Sequence, residues 1–172
     1  MPGRKDRDLK SRAAYFGVFT ALALILSYVE TLIPIQFGAP GIKLGLANLV
    51  IVIMLYKTDR KEALLLSVVR ILLAGFIFGS MFSIIYSLAG GIFSLFVMKF
   101  LAGSGRFGVA GVSMAGGVCH NIGQLIVAMI AVETYQVGYY LPVLLIAGVL
   151  TGAVIGTAAG EVLKRIRSLE FQ

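Results

Sequence analysis

From Ala13 to Leu163 the chain is a succession of apolar stretches separated by breaks of only a few polar residues. Most of these stretches are about 20 residues long, the length of helix that crosses a hydrocarbon core at about 1.5 Å per residue. Inside lipid the backbone must satisfy its own hydrogen bonds, and a helix does so within one segment. Composition agrees: 59% of the 172 residues are hydrophobic and 13% are charged, with a mean hydropathy of +0.96. A soluble domain carries about a quarter charged residues, because water must solvate its surface.

Six spans are expected, at about 13–32, 41–57, 61–79, 81–101, 107–132 and 139–163. The breaks have turn chemistry: Pro34, Gly38, Pro40 and Gly41, then Thr58-Asp59-Arg60, Gly103-Ser104-Gly105, and Gly138 before Pro142. The second span is the shortest. Its apolar stretch, Leu44 to Tyr56, needs Gly41 to Lys43 to complete it. The expected organisation is one membrane domain over 13–163 between two basic tails, 1–12 and 164–172. The apolar run after the charged N-terminus lacks a small-residue cleavage site, so it reads as a retained first helix. Cys119 is the single cysteine, and no intrachain disulfide can form.

The net charge of +7 does not read as a nucleic-acid surface, because the basic residues sit in short clusters between apolar runs. Arg4, Lys5, Arg7, Lys10 and Arg12 lie in the first tail, Lys57, Arg60 and Lys61 in the second connection, Lys99 and Arg106 around the fourth, and Lys164, Arg165 and Arg167 at the end. Thirteen of the fifteen Lys and Arg residues thus fall on one side, which positive-inside bias assigns to the cytoplasm together with both termini. The expectation is an all-α, multi-pass protein of the cell membrane, with the lipid bilayer as its main surroundings.

Two basic residues escape that pattern. Arg70, in LLLSVVRILLAG, lies about 13 Å from either end of its span. A charge at that depth costs several kcal/mol unless paired or hydrated. It is either an architectural arginine, held by backbone carbonyls or by Glu30, or an anion or carbonyl clamp that exploits five fixed donors. Lys43, in GIKLGLANLV, stands at the outer rim, with Asn48 about 7 Å deeper. In the fifth span, GGVCHNIGQLIVAM places His120, Asn121 and Gln124 on one broad helical face. These side chains are either polar glue between helices or the wall of a ligand site. Read together, the polar groups form a graded column from the outer surface to mid-membrane, which suits a solute captured from outside.

Small residues recur four apart at Ala13, Gly17 and Ala21, and again at Gly148, Gly152, Gly156 and Gly160. Such rows allow close helix contact, through internal packing or through a partner helix. One histidine, one cysteine and no carboxylate set make a metal site unexpected. No Walker loop, DDxxD cluster or Ser-His-Asp grouping is present, so an enzyme is not expected, and neither is a cofactor. An intramembrane enzyme working through His120 is the least supported alternative.

The string GAPGIKLGLANLV, the mid-helix Arg70 and the HNIGQ stretch together resemble the membrane family called Gx transporters, also labelled heptaprenyl diphosphate synthase component I. The resemblance covers all six spans. That family is similar in turn to S-components of energy-coupling factor transporters, six-helix subunits that capture vitamins. The resemblance implies an S-component-like bundle whose first outer loop covers a ligand, with Gln36, Lys43, Asn48, Arg70, His120, Asn121 and Gln124 as pocket candidates. It also implies that Ala13, Gly17 and Ala21 meet a membrane coupling subunit that works with two ATPases, although the usual motif is richer in alanine. The prenyl synthase label implies a different neighbourhood: a non-catalytic accessory protein for a prenyltransferase in quinone synthesis, or for a flavoprotein in flavin-based extracellular electron transfer. Without aspartate clusters to hold magnesium and diphosphate, this chain is not expected to elongate a prenyl chain itself.

Overall fold

The computed structural model describes residues 4–33, 45–58 and 60–169. Gln36 and Lys43 lie outside the described residues, as do the prolines and glycines of the first connection and Asp59. The described chain is helical, with six α-helices in the order α1 (Arg4–Leu32), α2 (Leu46–Lys57), α3 (Arg60–Phe78), α4 (Met81–Ser104), α5 (Val109–Val132) and α6 (Leu141–Leu169). A short 3-10 helix, Tyr135–Tyr140, leads into α6.

Four segments are long and apolar enough to cross a membrane: Arg12–Leu32, Met81–Ser104, Val109–Val132 and Tyr135–Ile166. The other two helices differ for separate reasons. The 19-residue α3 has the length, but it carries Arg60, Lys61, Glu62 and Arg70. The 12-residue α2 spans only about 18 Å, short of a hydrocarbon core about 30 Å thick. The expected 41–57 span therefore begins later, at Leu46. Gly45 stops the helix there by taking a left-handed conformation (φ 73°, ψ 27°), which a residue with a Cβ adopts at a cost. Both basic tails extend the helices that they flank, from Arg4 into α1 and through to Leu169 in α6.

A helix that is apolar all round belongs inside a protein or a membrane, and α2 lies inside the protein. Its residues Val50 to Leu55 are buried without interruption. Around them close Ala23 of α1, Ala63 and Leu66 of α3, Leu95 and Met98 of α4, Val112 of α5, and Ile155 and Ala159 of α6. By contrast α1 shows Tyr15, Val18, Leu22, Ile25, Val29 and Leu32 on its exposed face. These are side chains suited to lipid or to another helix. The molecule is thus a membrane protein with a core helix of its own.

The helices alternate in direction. Arg12 near the start of α1 pairs with Glu62 at the start of α3 at 2.6 Å, and Lys57 at the end of α2 lies by the start of α5 and the last turns of α6. The glycine row of α6 is internal packing against α5. A Cβ added at Gly152 would stand 2.6 Å from Met114 Cα and from Ser113 O, and one at Gly156 2.6 Å from Ala110 Cα. Only side chains without a Cβ permit backbones to approach so closely. At Gly160 the fit loosens, with Val109 Cβ at 4.0 Å. The first row behaves differently: Ala13, Gly17 and Ala21 are exposed, and a Cβ at Gly17 would meet nothing within 4 Å.

Candidate functional site

A cavity of about 150 Å³ lies between α1, α2, α3, α4 and α5, toward the end of the bundle opposite Arg12 and Glu62. Its base is formed by Asn48, Arg70, His120 and Gln124, and it reaches Thr31, Phe78, Gly79 and Ser83 at the ends of α1, α3 and α4. Tyr28 and Phe78 bring α1 and α3 together beside it, with ring centroids 5.2 Å apart.

Helix geometry explains which side chains meet. Asn48 precedes the Lys57 end of α2 by nine residues and Arg70 follows the Arg60 start of α3 by ten, about 14 and 15 Å of rise. The two stand at one level, and Arg70 Nη2 donates to Asn48 Oδ1 across 3.5 Å. The expected depth gradient from Asn48 to Arg70 is therefore corrected: because α2 starts late, Asn48 belongs to the same layer as the arginine. On α5, His120 and Gln124 are about 40° apart around the helix, whereas Asn121 is about 100° from His120. Asn121 Nδ2 accordingly points away from the cavity and donates to Leu144 O of α6 at 2.7 Å. The broad polar face divides, and Asn121 joins α5 to α6. Glycine on α4 makes room for the other two: a Cβ at Gly90 would stand 2.9 Å from Gln124 Cγ and 3.1 Å from His120 Cε1.

Glu30 is the feature that reading residues one at a time undervalued. Its Oε1 accepts a hydrogen bond from Gly45 N at the start of α2, where the partial positive end of the helix favours a carboxylate. Glu30 also lines the cavity, and its charge acts on Arg70. Ser27 and Thr31 share its face on α1, and Ser83 and Ser87 face them from α4. The signal lay in spacing: Ser27, Glu30 and Thr31 are at i, i+3 and i+4, and Ser83 and Ser87 at i and i+4. Ser83 doubles as part of the reciprocal cap that starts α4, exchanging hydrogen bonds with Ser80.

At least two buried polar atoms of the cavity lack a hydrogen-bond partner among the described residues. Beyond its long bond to Asn48, Arg70 has a buried Nε without a hydrogen-bond partner among the described residues, and Ser27 Oγ is in the same condition. Gln124 is only 4% exposed. A donor such as Arg70 Nε, buried and left unmade, costs about 1–3 kcal/mol, whereas the Ser27 hydroxyl can donate or accept. Among the described residues no group of three or more His, Cys, Asp or Glu is placed to hold a metal.

Comparison with known proteins gives one assignment. The profile of the heptaprenyl diphosphate synthase component I family matches residues 19–162. The chain belongs to that family. The matched region of this heptaprenyl diphosphate synthase component I family member includes α2 to α5 entirely, the second half of α1 and most of α6. It therefore contains every described wall of the cavity. No curated protein and no solved structure matches the chain.

Proposed function

We propose that the protein is a non-catalytic membrane subunit that captures a small anionic or polar-headed solute from the outer face. The supporting observation is Arg70, half-buried with its Nε fully buried, weakly engaged by Asn48, and lining a cavity that it shares with His120 and Gln124. Glu30 offsets its charge while being held at the α2 start, so the site is not a deep uncompensated cation. A volume of about 150 Å³ suits a molecule near the size of benzene, below the roughly 300 Å³ of drug-sized sites. A compact carboxylate or phosphate, or such a head on a longer molecule, suits both the size and the unpartnered Arg70 Nε. The cavity reaches the helix ends opposite the basic clusters, which positive-inside bias makes the outer side.

Native mass spectrometry of protein released from its own membrane tests this reading. Wild type should retain a small polar molecule that Arg70→Met loses at equal yield and thermal stability. A wild-type protein that carries no such molecule, with Arg70→Met indistinguishable from it, would overturn the proposal.

A second reading draws on the family description, since a synthase component I implies another subunit. The exposed row Ala13, Gly17 and Ala21 on α1 supplies a surface for one. Affinity capture from native membrane separates the candidates. ATPases with a coupling subunit support transport, whereas a prenyltransferase or flavoprotein supports an accessory role.

A further inference from the structure

The basic end of the bundle holds a second and larger opening that the solute site does not use. α5 begins at Val109 while α6 continues to Leu169, so the close packing that ends near Gly156 gives way to a gap. The end of α2 closes the third side. The resulting groove encloses about 750 Å³. Its walls are apolar or small, with Tyr56, Val109 and Leu163 beside Gly156 and Gly160. Its rim carries Lys57 and Lys164.

We propose that this groove binds an anionic phospholipid of the cytoplasmic leaflet, with its phosphate between Lys57 and Lys164 and an acyl chain along the cleft beside Gly160. Charge complementarity selects the headgroup. Among the described residues lining the groove Glu161 is the one carboxylate, and it accepts from Lys164 Nζ at 2.7 Å with both side chains more than half exposed. An exposed pair of this kind is weak, so a phosphate can draw Lys164 away from it. The start of α5 adds backbone donors: Gly108 gives no side-chain cap, and the first turn has no acidic residue to oppose an anion. Depth selects a lipid over a soluble anion. The lysines belong to the basic clusters that mark the cytoplasmic interface, where lipid phosphates lie, and the cleft below them presents apolar walls that a tail would fill.

The test is a native mass spectrometric titration of the full chain with phosphatidylglycerol and phosphatidylcholine of identical acyl chains. Wild type should retain phosphatidylglycerol in preference. Each lysine near the surface is worth about fivefold, so Lys57→Gln with Lys164→Gln should lower that preference about twenty-fivefold. Glu161→Gln should raise it, which keeps the proposal testable if the double variant folds poorly. Equal retention of the two lipids by wild type would overturn the proposal, as would a folded double variant that keeps the preference. Glycerol 3-phosphate competing as well as the lipid would also overturn it, because the cleft would then contribute nothing.

Discussion

The two faces of α5 divide its labour. Toward α6, Gly117 and Ser113 meet Gly148 and Gly152, and Asn121 spends its amide on Leu144 O. Toward α2, α3 and α4, His120 and Gln124 stand over Gly90 and line a cavity with Arg70 and Asn48. Toward α6 the backbones touch and the interhelical polar bond is short; toward α4 the backbones also approach closely at Gly90 and Gly123, but beside them His120 and Gln124 border an open cavity. Adjacent residues in one motif therefore differ in kind. Spacing alone groups His120, Asn121 and Gln124, while packing separates them.

Substitutions that cross this divide test it most severely. Gly152→Leu should have the largest effect, destabilising the protein by about 3 kcal/mol or more, because the new side chain meets α5 backbone rather than a movable side chain. Thermal unfolding in detergent reads this. Next comes Arg70→Met, expected to lower solute retention at least tenfold, about 1.4 kcal/mol, with little change in unfolding temperature. A large stability loss there would make Arg70 architectural and merge the two faces. Asn121→Leu should cost about 1 kcal/mol of stability, the worth of one polar helix contact, and leave solute retention intact. Gln124→Leu should do the reverse, so comparing the pair sharpens the boundary within one turn of helix. Smallest of all, Gly17→Leu should leave the isolated protein's stability unchanged within about 0.5 kcal/mol, since the added side chain meets nothing. Any loss of captured partners by that variant would locate their docking face.

Much of the architecture was legible because lipid imposes a length and an apolar composition, and α4, α5 and α6 follow both closely. α2 was harder. A buried core helix and a spanning helix are apolar alike, and only the left-handed turn at Gly45 tells where the helix begins. Arg70 and Gln124 announced themselves as polar groups in apolar runs. Glu30 did so weakly, because near the end of α1 an acid has an ordinary place in water, and its bond to Gly45 N depends on how the chain folds back. The lysine-rimmed groove had no sequence signature, since it arises from α6 outlasting α5.

The short, enclosed α2 has a consequence for how the protein is made. Four segments can enter a bilayer on their own hydrophobicity. α2 is too brief to do so, and α3 brings an arginine whose insertion at mid-helix costs roughly 2.5–3.5 kcal/mol. These neighbours must be admitted by the growing protein rather than by lipid. The expected outcome is that α2 and α3 settle only once α4, α5 and α6 are present to receive them, so that a chain truncated before α4 should leave the cavity unformed.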